Sequence, residues 1–345
     1  MDVDSAPADN GPVGITEDEA ALYDRQIRLW GLEAQQRMRN AAILVIRLKG
    51  VATEVIKNIV LAGIGRLVVL DPDTLQPEDL GASFFFRDGD VGKKRVDAAK
   101  PHIESLNPLV QVDLHSDPQT LLDDASLDAL IQTVDLVILT DADHKTTLRV
   151  NASARRHSKP FYAGGTYGLT GYVFADLLSH EYVSTQKPSG DANAPPKQVR
   201  NTIEYCPLSD ALAFRWTGLK KKQAREAQPA LVFAILALWE YETQHGALPD
   251  TTEAADELQQ LANARIKSSG ILSSVCTQLP RDVAETAATT AAHEFSPVCA
   301  VLGGLLAQDV LKALGRRDPP MDNFFVFDGV TGSGSVLCMR PPALA

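Results

Sequence analysis

Between Ile43 and Arg156 the apolar residues fall into two alternating patterns. Short apolar-rich runs, Ile43 to Ile46, Arg66 to Leu70, Val110 to Leu114 and Leu136 to Leu139, have the length and composition of buried strands. Between them lie segments with helical spacing: Val51 to Ala62, with Val55, Ile56, Ile59 and Val60 on one side, Gly92 to Leu106, closed by Asn107-Pro108, and Lys145 to Arg156. Strands alternating with helices predict parallel strand–helix–strand units and an open α/β sheet covered on both faces. Upstream, Thr16 with Glu19 three residues on matches a helix capping box, and Tyr23, Ile27 and Trp30 form one apolar stripe that Gly31 ends. Asp24, Arg25 and Arg28 fall off that stripe.

After about residue 180 the rhythm changes. Ser184 to Val199 carries Pro188, Gly190, Pro195 and Pro196 without apolar periodicity, which predicts a flexible loop. Residues 200–295 show helical patterns (Ala230 to Trp239, Thr252 to Ile266) and no strand alternation, as an inserted, mainly helical region would. Ser296-Pro297 opens a helix that runs to Leu314, and residues 323–329 and 334–339 predict a closing hairpin. That helix is apolar almost all round, and Gly303-Gly304 within it implies close packing on another backbone. The chain thus divides into a disordered acidic tail (1–15), a first α/β part (16–180), an inserted helical region (181–295) and a second α/β part (296–345).

Composition narrows the function. The 345 residues are 45% hydrophobic and 22% charged, close to a globular average. The net charge of −11 would repel a phosphate backbone, which argues against nucleic acid as a ligand. The longest uncharged apolar run, Ala230 to Trp239, is far short of a membrane span, and the N-terminus lacks the basic start and apolar core of a secretory signal. Cys206, Cys276, Cys299 and Cys338 form no Cys-x-x-Cys pair, and His102, His144, His157 and His293 stand singly, so no metal site is expected. Reduced thiols in the cytosol or nucleus follow. No cysteine has a neighbouring histidine. Cys299 and Cys338 read as buried packing residues, and none reads as a reactive thiol. Lys220-Lys221-Lys222 reads either as a solvated helix face or as a nuclear signal.

The turn after the first strand, Arg47-Leu48-Lys49-Gly50-Val51-Ala52, lies where a mononucleotide-binding turn would sit, and the opening strand, turn and helix resemble half of a Rossmann domain. Such a turn uses glycines for positive φ and for close approach to phosphate; here only Gly50 is present. Arg47 and Lys49 supply positive charge but fill space that a pyrophosphate needs. Asp71 and Asp73 close the second strand, where either a ribose-binding acid or a plain Asp-Pro-Asp turn would fall. Lys49, Gly50, Asp71 and Asp73 are the candidate nucleotide contacts, and a structural turn and a noncanonical site both stay open.

Three segments together resemble one family. Tyr23-Asp24-Arg25-Gln26-Ile27-Arg28-Leu29-Trp30-Gly31, the helix from Ser296-Pro297-Val298-Cys299 to Gln308-Asp309, and Arg317-Asp318-Pro319-Pro320 with Asn323 to Gly329 are similar to the MoeB/ThiF adenylation domains of ubiquitin-like-protein activating enzymes. With Arg47-Leu48-Lys49-Gly50 they look closest to the smaller, noncatalytic subunits of the heterodimeric enzymes that activate SUMO. The resemblance implies a Rossmann-like α/β fold and an obligate larger catalytic subunit. It implies that ATP and Mg²⁺ are held mainly by that partner, whose cysteine carries the SUMO thioester. It also implies a location in the nucleus, with the cytoplasm as a second site. Where an active half has Gly-x-Gly-Gly-x-Gly, this chain has Arg47, Lys49, Gly50 and Ala52. Where the active half carries a phosphate-binding Arg, Asp79 to Ser83 has none, and Arg95 replaces the expected lysine. The resemblance assigns Arg25 to the partner's ATP phosphates, in trans. The alternatives are the regulatory subunit of the neddylation activating enzyme, a self-sufficient Rossmann oxidoreductase, and a pseudoenzyme scaffold without an enzymatic partner.

Overall fold

The computed structural model describes residues 14–186 and 197–341. The helices α1 (Glu17–Leu22), α2 (Asp24–Trp30) and α3 (Leu32–Arg39) lead into β1 (Ala42–Ile46), α4 (Gly50–Leu61), β2 (Arg66–Leu70), α5 (Arg95–Leu106) and β3 (Gln111–His115). Then come α6 (Pro118–Leu122), α7 (Asp124–Gln132), β4 (Leu136–Thr140), α8 (His144–Arg156), β5 (Phe161–Tyr167) and β6 (Thr170–Asp176). A hairpin, β7 (Ser179–Gln186) and β8 (Lys197–Glu204), precedes α9 (Leu208–Ala211), α10 (Lys221–Glu226), α11 (Pro229–His245), α12 (Ala254–Ser269) and α13 (Arg281–Thr290). The chain closes with α14 (Ser296–Gly315), β9 (Phe324–Asp328) and β10 (Ser333–Leu337).

Eight strands form one sheet in the order β10-β9-β6-β5-β4-β1-β2-β3. From β3 to β5 the neighbours are parallel; β6, β9 and β10 extend the sheet antiparallel. β1 shows why its run is unbroken: Ile43 and Val45 face the core under α4 and α14, while Leu44 and Ile46 face the core under α8 and α11. Order along the chain reverses between β1 and β4, which puts the β1 and β4 carboxyl ends at a topological switch point, the usual ligand crevice of such sheets.

Two regions differ from the sequence pattern. The sequence pattern does not distinguish β5 and β6 as strands: Gly164-Gly165 interrupt the apolar run of β5, and Gly168 makes the turn between the two strands at φ +59°. A Cβ at Gly164 would lie 3.3 Å from the Tyr172 carbonyl, and one at Gly168 would strike Thr290. The expected flexible loop at 184–199 is corrected at both ends. Residues 184–186 and 197–199 belong to β7 and β8, paired Ser184 to Val199 and Gln186 to Lys197. The hairpin was hidden because β8 is half solvated, so its face pattern lacks apolar alternation. The rest of that loop, 187–196, and residues 1–13 of the expected acidic tail lie outside the described residues. The inserted helices share one hydrophobic core with the sheet: Trp239 of α11 donates to the Tyr167 hydroxyl of β5 at 2.7 Å and meets Phe324 of β9 edge-on.

By length and composition α14 is apolar enough to cross a membrane, unlike the shorter run used above, but more than half of it is buried against the protein. Gly303 accounts for its approach to α4, since a Cβ there would sit 2.5 Å from Glu54 Cβ and 3.0 Å from the Val51 carbonyl. Gly304 faces open space, beside exposed Val301 and Leu305. Cys338 is exposed, correcting its reading as a buried packing residue: in the alternation after β10 it faces outward while Leu337 and Met339 face in.

Candidate functional site

The turn between β1 and α4 keeps the backbone of a glycine-rich turn without the glycines. Arg47 holds φ +67°, a left-handed conformation costing a non-glycine residue roughly 1–2 kcal/mol. It is fixed by its own N–H on the Leu70 carbonyl (2.8 Å) and by the Thr140 hydroxyl on its carbonyl (3.0 Å). Leu48 turns its side chain fully into the core. Gly50, at the N-terminus of α4, donates its backbone N–H to Glu294 Oε1 at 2.9 Å. Lys49 Nζ lies 3.9 Å from the other oxygen of that carboxylate. Glu294 therefore occupies the position where a helix N-terminus would take a phosphate oxygen.

The acids at the end of β2 are also engaged. Asp71 is fully buried and accepts from Leu48 N (2.5 Å) and Asp73 N (2.7 Å). Arg95 reaches in from α5, bidentate on Asp79 (3.0 and 3.1 Å) and onto Asp73 (3.1 Å) and Asp71 (3.5 Å). Asp73 also lies 3.8 Å from Arg47. Burial pushes Asp71 above the usual carboxylate range, opposed by the Leu48 amide and the Arg95 charge. The arginine at the expected lysine position thus serves three aspartates within the chain.

Beside the turn is a small polar cavity, about 60 Å³, lined by Lys49, Asp141, Thr166, Glu242 and Glu294. Asp141 Oδ1 accepts from Thr166 N at 3.1 Å, while its Oδ2 has no partner. Burial and the nearby Glu294 charge push Asp141 up to about 7. His144 stacks on Trp239 with ring centroids 4.9 Å apart, and burial lowers its basicity. A cavity of this size holds water, not a nucleotide. With the Gly50 amide taken by Glu294 and Leu48 in the core, the residues present do not fit an ATP phosphate chain.

Arg25 is placed differently. Tyr23 anchors its segment: the ring is buried, its hydroxyl accepts from Asn107 Nδ2 (2.8 Å), and the ring packs on Gly63, where a Cβ would collide with it. Gln26 donates to the Leu61 carbonyl at the end of α4 (3.2 Å). Because α4 is 12 residues long, about 18 Å, Arg25 stands near the end of that helix opposite to Gly50. Arg28 pairs with Asp24 (2.9 Å), whereas Arg25 is exposed and makes no hydrogen bond or ion pair among the described residues. The structure therefore brings Lys49, Gly50, Asp71 and Asp73 together and keeps Arg25 apart from them. Glu294 and Asp141 carried no sequence signal; Glu294 is 244 residues from Gly50.

The thiols are not activated. Cys206, Cys276 and Cys299 are buried, and burial raises all three, Cys206 to about 11. Cys338 is raised by partial burial and by the Asp322 charge. Lys220, Lys221 and Lys222 are exposed at the start of α10.

A parallel sheet with a nucleotide-type switch point, preceded by an anchored Tyr-Asp-Arg-Gln helix, defines a class of adenylation-fold proteins. The family model described as "ThiF family" matches residues 23–343, and the chain belongs to that family. Its relatives include SUMO-activating enzyme subunit 1 of Rattus norvegicus, 36% identical over 351 residues, covering 95% of this chain and 96% of that protein. The Homo sapiens subunit 1 is 36% identical over 347 residues, covering 95% and 97%. Among solved structures, E. coli MccB with succinimide shares the fold: its TM-score is 0.55 at 15% identity, covering 93% of this chain and 72% of that one.

Proposed function

We propose that this chain is the smaller, noncatalytic subunit of a heterodimeric SUMO-activating enzyme. With its larger partner it supports ATP-dependent adenylation of the SUMO C-terminus and thioester formation on the partner's cysteine. One observation carries the reading. The chain's own nucleotide turn is closed from within, while Arg25, near the opposite end of α4, is exposed and makes no hydrogen bond or ion pair among the described residues. In the reaction the SUMO carboxylate attacks the α-phosphate of ATP, giving an acyl adenylate and pyrophosphate. Both reactants are anionic, so a guanidinium supplied from this chain to the partner's ATP phosphates offers fixed charge and a bidentate fork. ATP and Mg²⁺ are held mainly by the partner.

Exposed Val301, Leu305 and Leu29 supply apolar surface for the partner, and an obligate interface above about 2,000 Å² is expected. Similarity to SUMO-activating subunits along almost the whole chain favours this reading over a neddylation subunit. The oxidoreductase alternative lacks the glycines its cofactor needs. A nuclear location accompanies the proposal. The test is reconstitution: SUMO-dependent ATP–pyrophosphate exchange should require both chains. Exchange by this chain alone, or a larger subunit indifferent to it in activity and in sedimentation, would refute the assignment.

A further inference from the structure

At the other end of the sheet, α14 delivers a second charged constellation. The helix has 20 residues, about 30 Å, so its C-terminus is far from the closed turn beside Ser296. There a cleft of about 650 Å³ opens between α2–α3 and the β7–β8 hairpin. Four arginines line it, Arg37, Arg200, Arg316 and Arg317, against two carboxylates, Glu33 and Glu181, in a chain whose net charge is −11.

Two of the arginines hold the walls together. Arg317 donates to the Trp30 carbonyl, and Arg37 pairs with Glu33 (2.7 Å) and donates to the Gly315 carbonyl at the end of α14 (2.9 Å). The other two are free of that work. Arg316 has its backbone pinned, its carbonyl accepting from Val183 N at 3.0 Å, yet its side chain makes no hydrogen bond or ion pair among the described residues. The same is true of Arg200, opposite Val183 on the exposed hairpin.

Unpartnered polar atoms line the walls as well. Arg37 Nε is buried without a partner among the described residues. A neighbouring cleft shares Arg37, Glu181 and Arg316 with the first and reaches His180, a side chain 9% exposed whose Nε2 is also unpartnered. Buried polar atoms are almost always hydrogen-bonded, so Arg37 Nε in the wall of this cleft and His180 Nε2 in the neighbouring one are exceptions to that rule. The cleft volume is in the range of small-molecule sites, about 300–1,000 Å³. Guanidinium forks at fixed positions suit phosphate oxygens better than single carboxylates.

We infer that this groove binds a small polyphosphate anion, with Arg200 and Arg316 as its free cationic contacts and Arg37 and Arg317 fixing the walls between which they stand. The inference is independent of the role proposed for Arg25. Calorimetric titration with inorganic tripolyphosphate, on the full chain and on the chain assembled with the larger subunit, tests it. The double variant Arg200→Gln/Arg316→Gln should bind at least about tenfold more weakly in both states, while Lys222→Gln on α10 binds as the unaltered chain does. Both substituted arginines are exposed, so the fold should be kept, which circular dichroism checks. Equal affinity of the double variant, loss of binding on assembly, or binding of a phosphoserine peptide but not of tripolyphosphate would overturn the assignment.

Discussion

At the turn after β1 each charged group is answered from within the chain, whereas Arg25 on α2 is not. Lys49 faces Glu294, Arg47 faces Asp73, and Arg95 joins Asp71, Asp73 and Asp79. Arg25 has no such neighbour among the described residues, although Arg28 one turn further on is paired with Asp24. The first arrangement holds a fold together. The second leaves a cation available to another molecule. Charge alone does not mark a functional residue; whether the chain has already neutralised it does.

The strongest way to break this contrast is to remove Arg95. Arg95→Ala would leave Asp71 and Asp79 buried without their counter-ion, and stability should fall by roughly 3–5 kcal/mol. Denaturant unfolding measures this, and a loss below about 1 kcal/mol would show that the aspartate cluster does not depend on it.

Arg25→Ala probes the other side. Unfolding should be unchanged and the heterodimer should still assemble, but SUMO-dependent ATP–pyrophosphate exchange should fall by roughly 30- to 1,000-fold. Lys at this position should restore only part, because it keeps the charge without the planar fork. Arg28→Ala is the neighbouring control, and unchanged exchange for Arg25→Ala would reduce Arg25 to a surface residue.

Asp141 sharpens the comparison through pH. Its pKa is raised from an ordinary value near 3.8 to about 7, so the native state binds this proton more tightly than the unfolded chain does. Its contribution is complete below about pH 4 and is lost as pH rises through 7, opposite to a salt-bridged carboxylate. Asp141→Asn keeps the acceptor for Thr166 N and should be the more stable form at pH 8, on the order of 1–3 kcal/mol, with the advantage shrinking toward pH 4. Melting curves at several pH values check this, and a pH-independent difference would remove the buried charge from the account.

The smallest effect is expected at Lys49. Its ion pair with Glu294 is long and partly exposed, so Lys49→Ala should cost under about 1 kcal/mol and leave exchange in the assembled enzyme unchanged. A large fall in exchange would place this turn in the chemistry and erase the contrast.

Much of the parallel half of the sheet was legible because its signals are local. β2 was read at Arg66 to Leu70, as observed, and β1 and β4 to within one residue at an end. The Thr16–Glu19 capping box is present with both of its hydrogen bonds. What was not legible depended on distant partners. β5 hides behind its glycines, and the β7–β8 hairpin behind a half-solvated face. α14 was read with its glycine pair, but which glycine packs and which stays open follows from where α4 lies.

The candidate site divides the same way. Sequence by itself determined the alternation of strands and helices, the placing of Lys49, Gly50, Asp71 and Asp73 at adjacent strand ends, and the loss of glycines from the turn, because side-chain periodicity and turn chemistry act over a few residues. Only the tertiary structure decided that Glu294, 244 residues away, occupies the Gly50 amide and that Arg95 serves three aspartates. It alone decided that Arg25 stands at the opposite end of α4 with no partner among the described residues. The physical reason is that neutralising a charge needs a partner within a few ångströms, and packing, not chain order, brings that partner there.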